Sequence, residues 1–177
     1  MRIGIDIDNT ITHTRESVFK YKRRSRFKHN KGYYLDWDKK DQDEFLKEYV
    51  EDIQMNAKVK EGAPEVIEKL HNLGHKIILI TYRNNILNDN IIDNTKKYLK
   101  KNNIYYDDIL FNALEKGKIC KYNKIDLLID DSPVNIESVK NAGIKYLVYP
   151  MFYNKKLFPR VNNWYEVLDY IKKLQDK

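Results

Sequence analysis

The segment Arg2-Ile3-Gly4-Ile5-Asp6-Ile7-Asp8-Asn9-Thr10 opens the chain with an apolar run that ends in two carboxylates, an amide and a hydroxyl. Such a run reads as a strand buried on both faces. Four more short runs rich in Ile, Leu and Val follow, at 76–81, 108–112, 126–130 and 144–149. Helical patterns lie between them. Pro64 opens one whose stripe is Val66, Ile67, Leu70 and Leu73, with Gly74 as its stop. Residues 88–102 carry Ile91, Ile92, Thr95, Tyr98 and Leu99, and Ser132-Pro133 opens a helix that Gly143 ends. Asn163-x-x-Glu166 resembles a capping arrangement ahead of Val167, Leu168, Ile171 and Leu174. Strands and helices alternating over short connections predict an α/β fold with a doubly wound, mostly parallel five-stranded sheet.

The alternation fails once. Between His13 and Lys60 no strand is evident: a basic stretch leads to Tyr33-Tyr34-Leu35-Asp36-Trp37. An acidic amphipathic helix then carries Phe45, Leu46, Tyr49, Val50 and Ile53. This piece directly follows the first strand, where an open α/β sheet places its ligand crevice. The expectation is a small helical cap at 13–60 inserted into a catalytic core of 1–12 and 61–177.

The 177 residues suit one domain with an insertion, and 42% hydrophobic residues are enough for a real core. The single cysteine, Cys120, excludes an internal disulfide framework and fits a reducing, cytoplasmic setting. Acidic residues interrupt the N-terminal apolar run that a secretion signal would need, and no run reaches the ~18–20 apolar residues of a membrane span. The net charge of +7 invites a nucleic-acid reading, but Lys is scattered. Only Lys20, Lys22, Arg23, Arg24, Arg26, Lys28 and Lys31 form a one-signed run, and such runs are usually solvated faces.

Chemistry concentrates at strand ends: Asp6, Asp8 and Thr10 after the first, Thr81 closing the second, Asp130 and Asp131 after the fourth. Each piece alone has a plain structural explanation, as a turn, a backbone cap or a helix N-terminus. Together they put four carboxylates on one crevice, where they would repel and raise one another's pKa unless a divalent cation joined them. All-oxygen ligation favours Mg²⁺ over zinc.

In this order and placement the residues resemble the signature of the haloacid dehalogenase-like phosphohydrolases: Asp6-x-Asp8-x-Thr10, Thr81 in Ile77–Arg83, and Asp130-Asp131 after Leu127-Leu128-Ile129. The segments around Asp6 and Asp130 resemble the 5′-nucleotidase and deoxyribonucleotidase-like members. The resemblance implies an α/β core with a cap, a phosphomonoester substrate such as a nucleoside monophosphate, and Mg²⁺. It makes Asp6 the nucleophile that forms an aspartyl-phosphate and Asp8 the general acid and base, with Asp6 ionised against the metal and Asp8 able to hold a proton. Mg²⁺ would be held by Asp6, the Asp8 carbonyl and Asp131, with Asp130 acting through water or its neighbours. Thr81 and a lysine would bind phosphoryl oxygens. Lys116 is the preferred lysine, since it lies nearest the third strand's end, with Lys118 the alternative. Asn9 stands where many relatives have Gly, and Asn tolerates the left-handed turn.

Other residues stay open. Arg83 reaches substrate phosphate or pins its loop. Tyr33, Tyr34 and Trp37 stack on a base or form the cap's own core. Tyr153 and Asn154 edge the crevice, Cys120 packs in the core, and His71 and His75 are separated from a metal-binding pattern by Gly74. A sugar-phosphate phosphatase and a basic nucleic-acid or partner-binding protein are the alternative functions.

Overall fold

The computed structural model describes residues 1–86 and 88–175. Its strands are β1 (Arg2–Ile5), β2 (Lys76–Ile80), β3 (Asp108–Leu110), β4 (Leu127–Asp130) and β5 (Lys145–Val148). Its helices are α1 (Thr14–Arg24), α2 (Lys39–Met55), α3 (Ala63–Asn72), α4 (Ile91–Lys101), α5 (Lys116–Tyr122), α6 (Pro133–Asn141) and α7 (Trp164–Gln175). The strands form one parallel sheet in the order β3-β2-β1-β4-β5. Strand β1 is central, with Ile3 beside Ile77 of β2 and Leu127 of β4. The order reverses at β1, so the loops after β1 and β4 part there and leave a crevice at their C-terminal ends.

Both faces are covered, which is why the strands lack polar alternation. Ile3, Ile5, Ile77, Leu79, Leu127 and Ile129 pack with Ile67 and Leu70 of α3, Leu99 of α4 and Val167 of α7. Ile78, Ile80 and Leu128 face Cys120 of α5 and Val139 of α6. Cys120 is thus a core thiol, with burial pushing its pKa up to about 12. The helix ends follow the predicted stops, Gly74 and Gly143 both at positive φ. The α7 cap is looser than the predicted box: Asn163 Oδ1 accepts from Glu166 N at 3.0 Å, while the Glu166 carboxylate turns to Asn162. Among the described residues no helix is long and apolar enough to cross a membrane.

The segment between β1 and α3 contains α1, two 3₁₀ turns (Arg26–His29 and Tyr34–Asp36) and α2. It carries its own apolar cluster of Val18, Phe27, Trp37, Phe45 and Ile53. Trp37 stacks on Phe27 and meets Phe45 edge-on at 5.2 Å, so it belongs to this small core. The chain enters and leaves through one neck, where His13 N donates to Lys58 O and Lys60 N to Ile11 O, both at 2.8 Å.

Gly117 fixes how α5 sits. A Cβ there would lie 2.3 Å from the Ser138 carbonyl oxygen of α6. Gly117→Ala is therefore expected to force the helices apart and cost about 1–3 kcal/mol, read as a lower melting temperature. Because Lys116 is the preceding residue, the same variant should lose activity beyond what its lower stability explains. Full activity in the folded variant would show that α5 packing does not set the lysine.

Candidate active site

Strand β1 delivers Asp6 to the crevice, where its N–H donates to Ile129 O of the neighbouring strand at 3.0 Å. Asn9 then adopts a left-handed backbone (φ 64°), as expected of an Asn in that turn, and its Oδ1 accepts from Arg15 N at 2.8 Å. This ties the turn to the first residues of α1. Thr10 reaches across to donate to Asp131 Oδ1 at 3.3 Å.

Lys116, at the first turn of α5, has its Nζ 2.5 Å from Asp6 Oδ1 and 2.7 Å from Asp130 Oδ2. Its side chain is 1% exposed, so it is the lysine of the crevice; Lys118 pairs with Glu115 on the surface. Burial works to strip the Lys116 proton, but Asp130 and Asp6 outweigh it and hold the pKa above that of a free lysine. Asp130 is wholly engaged. Its Oδ1 accepts from Ser132 N, its Oδ2 from Lys116, and Asn135 Nδ2 donates to both.

One carboxylate oxygen from each of Asp6, Asp130 and Asp131 lies within 4.8 Å of the other two. Burial, then the charges of Asp130, Asp131 and Asp8 against the pull of Lys116, drives Asp6 well above the usual carboxylate range. Burial and Asp130 push Asp131 up to about 7. Buried hard-oxygen donors that repel one another suit a hard divalent cation, so this donor set fits Mg²⁺. With Asp130 saturated, Asp6 and Asp131 are the carboxylates left to hold it, although the Tyr153 hydroxyl donates to Asp131 Oδ2. Asn154, fully inside, fixes the Asp131 backbone carbonyl at 2.7 Å.

The raised Asp131 pKa has a measurable sign. The folded state retains a proton that the unfolded chain releases near pH 4, so Asp131 lowers stability as pH rises from about 4 to about 7. Asp131→Asn in EDTA is therefore expected to gain melting temperature over wild type at pH 8 and little or nothing at pH 4. An equal gain at both pH values would remove titration as the cause.

Asp8 departs from expectation. Burial favours its neutral form, but Arg83 outweighs burial and, with the Thr14 hydroxyl, brings the pKa below the ordinary value. Arg83 Nε and Nη2 reach Asp8 Oδ2 and Oδ1 at 2.9 and 2.7 Å, and Nη1 reaches Thr95 Oγ1 at 3.3 Å. With Lys116 and Arg83 as the cations that face them, Asp8 is the stronger acid and Asp6 the weaker. The ionised Asp6 expected from sequence is tied to a bound divalent cation, whose charge would act on Asp6. Of its two readings, Arg83 takes the pinning one, with Asp8 as its anchor. Thr81 is buried at the end of β2 and takes Arg83 N on its hydroxyl at 3.2 Å. Its neighbours Tyr82 and Arg83 line the cavity, and Thr81 itself lies behind them.

The cavity, about 920 Å³, is roofed by the insertion through Val18, Phe19, Tyr33, Tyr34 and Leu46. Tyr33 and Tyr34 thus line it, whereas Trp37 does not. Arg15, Phe19, Asn135 and Phe152 also line it, and sequence reasoning did not single them out. His71 and His75 stay outside: His71 stacks on Tyr105 at 3.9 Å and His75 faces the N-terminal amine at 3.3 Å.

A family model described as "5′ nucleotidase, deoxy (Pyrimidine), cytosolic type C protein" matches residues 3–176. A protein of Bacillus subtilis with a provisional nucleotidase name is 29% identical, over 97% of this chain and 93% of its own. One of Oceanobacillus iheyensis, named in the same way, is 25% identical over 95% and 97%. Among solved structures, a predicted phosphatase of Clostridium acetobutylicum superposes with a TM-score of 0.72 at 14% identity, covering 97% of this chain and 98% of that one. A haloacid dehalogenase-like hydrolase of Streptococcus pneumoniae gives 0.68 at 14% identity, over 96% and 97%. These likenesses fix the fold, and the family match spans every strand end that carries a carboxylate. The chain belongs to this 5′-nucleotidase family of phosphohydrolases, and its fold is the one those haloacid dehalogenase-like structures share.

Proposed function

We propose that the enzyme is a Mg²⁺-dependent phosphomonoesterase that works through an aspartyl-phosphate on Asp6 and acts on nucleoside monophosphates. The observation that carries this reading is the Asp6 carboxylate, buried at the end of β1, gripped by Lys116 at 2.5 Å and opening into the cavity. Lys116 orients Asp6 so that one oxygen remains to attack phosphorus, and its charge offsets that of the phosphoryl oxygens. The backbone that follows Thr81 steadies those oxygens, and the Thr81 hydroxyl holds that turn by accepting from Arg83 N. When bound by Asp6, Asp131 and the Asp8 carbonyl, Mg²⁺ supplies Lewis-acid polarisation of the phosphoryl group. Asp130 acts at one remove, by holding Lys116.

Asp8, held ionised by Arg83, is set to take a proton from the water that cleaves the aspartyl-phosphate. Donating a proton to the leaving oxygen in the first step requires Arg83 to loosen its two contacts. Residues 13–60 form the cap and 1–12 with 61–177 the core, on the strength of the neck at Ile11–His13 and Lys58–Lys60. Tyr33 and Tyr34, which line the cavity, are the aromatic side chains on which a nucleobase would stack. The basic run supports a small substrate over nucleic acid, because Lys22 is buried against Gly32 O and Arg26 pairs with Glu44 and Glu48. The lone buried cysteine accords with a cytoplasmic enzyme.

The test is phosphate release from nucleoside monophosphates, sugar phosphates and p-nitrophenyl phosphate, each with Mg²⁺ and with EDTA. Metal-dependent turnover that favours nucleotides is the expected result. A sugar-phosphate preference would keep the chemistry and replace the substrate, and turnover undiminished by EDTA would remove the metal.

A further inference from the structure

The cavity holds three cationic side chains, and two are already engaged: Lys116 by Asp6 and Asp130, Arg83 by Asp8. Arg15 is different. Its guanidinium carbon lies 4.4 Å from the ring centres of Tyr33 and Phe152 and 5.0 Å from that of Phe19. Two of these rings belong to the insertion and one to the segment after β5. Among the described residues no carboxylate lies within ion-pair distance of the guanidinium, and no oxygen accepts a hydrogen bond from it; the hydrogen bond Arg15 makes is through its backbone N–H. A permanently charged fork of donors therefore sits against apolar rings, inside the cavity that holds the nucleophile.

Three ring faces offset part of that charge by cation–π attraction and cover part of the half-buried side chain, but they accept none of its N–H bonds. Its donors remain available to a ligand that enters the cavity. The planar fork matches two oxygens of one phosphoryl or carboxylate group, and charge-assisted pairs of this kind are about twice as strong as bonds to a neutral carbonyl. Arg15 also belongs to the roof. Phe19 and Tyr33, which it faces, come from the insertion, and among the described residues its side chain makes no ion pair or hydrogen bond with Asp6, Asp8, Asp130 or Asp131.

We infer that Arg15 is a specificity-determining residue that binds a second oxyanion, on the leaving group of the substrate rather than on the phosphoryl group transferred. The favoured substrates are then phosphomonoesters whose alcohol part is itself anionic, such as nucleoside bisphosphates or phosphorylated hydroxy acids. This deepens the phosphomonoesterase reading and rests on it.

Matched pairs test it with Mg²⁺ present: a nucleoside 3′,5′-bisphosphate against the 5′-monophosphate, and 3-phosphooxypropanoate against propyl phosphate. p-Nitrophenyl phosphate serves as the activity check. In at least one pair the anionic member should have a tenfold or greater advantage in kcat/KM, carried by KM. The pair that shows it identifies the oxyanion as phosphoryl or carboxylate. Arg15→Met, which keeps an unbranched apolar stem among the rings, should bring that ratio near one, and Arg15→Lys should fall between. Ratios near one in the wild type, or a ratio unchanged in Arg15→Met, overturn the inference while leaving the phosphomonoesterase intact. Preference in the propanoate pair without nucleotide turnover overturns the nucleotide substrate and keeps Arg15. No turnover of any ester, p-nitrophenyl phosphate included, overturns both.

Discussion

Asp6→Asn is expected to lose turnover by about 10⁴-fold or more while melting no lower than the wild type. The two halves have one cause. Asp6 is held among Asp130, Asp131 and Asp8 in a buried crevice, and its pKa stands well above the usual range. Linkage sets the sign: the unfolded chain releases the Asp6 proton near pH 4, the folded protein only at higher pH, so ionised Asp6 lowers stability at neutral pH. An amide of the same shape removes that repulsion. It leaves Lys116 paired with Asp130 at 2.7 Å, so no buried cation is orphaned. The amide, however, is no nucleophile toward phosphorus, and the covalent route closes. Thermal unfolding in EDTA and phosphate release with Mg²⁺ read the two halves separately. Turnover within tenfold of wild type would move the nucleophile elsewhere, to water above all. A clear fall in melting temperature would mean that the Lys116 contact outweighs the repulsion.

Such a trade of stability for function explains where the sequence was readable. Strand runs such as Lys76–Thr81 are legible because a parallel strand buried on both faces has no polar alternation to confuse it, and the carboxylates interrupt those runs at the crevice. The apolar runs overshoot the strands by one or two residues, as at β1, which stops at Ile5 before the turn. Lys116 was readable from its distance to β3. Long-range pairing was not. Arg83 lies 75 positions from Asp8, and nothing local shows that its guanidinium turns to that carboxylate. The acidity order of Asp6 and Asp8 depends on which cation faces which oxygen, and spacing along the chain does not set that. The cap aromatics split for a similar reason: Trp37 and Tyr33 are four residues apart, yet one packs on Phe27 and the other lines the cavity. Arg15 was hidden ahead of the basic run, and only the packing of Phe19 and Phe152 distinguishes it from a solvated charge.

Lys116→Met is the variant expected to damage both fold and activity most. Lys116 is 1% exposed and bridges Asp6 and Asp130, of which Asp130 is fully buried. Met fills the stem's volume but leaves two carboxylates without their cation. Breaking a buried ion pair on one side typically costs about 3–5 kcal/mol, a fall in melting temperature of about 6–20 °C for a chain of this size. The loss should depend on pH. Without Lys116 nothing opposes the upward push of burial on Asp6, so the variant's deficit is greatest at neutral pH and shrinks as pH falls toward the unfolded value of an aspartate near 4. Asp130→Asn added to Lys116→Met should recover part of the stability, because the remaining uncompensated charge is then one and not two. Turnover should stay low in both, since neither restores a cation beside Asp6. Thermal melts from pH 4 to 8 on the single and double variants decide the matter. A deficit independent of pH, with no recovery in the double variant, would assign Lys116 to packing rather than charge. The opposite pattern would establish that Asp130 is retained to hold Lys116, and Lys116 to hold Asp6.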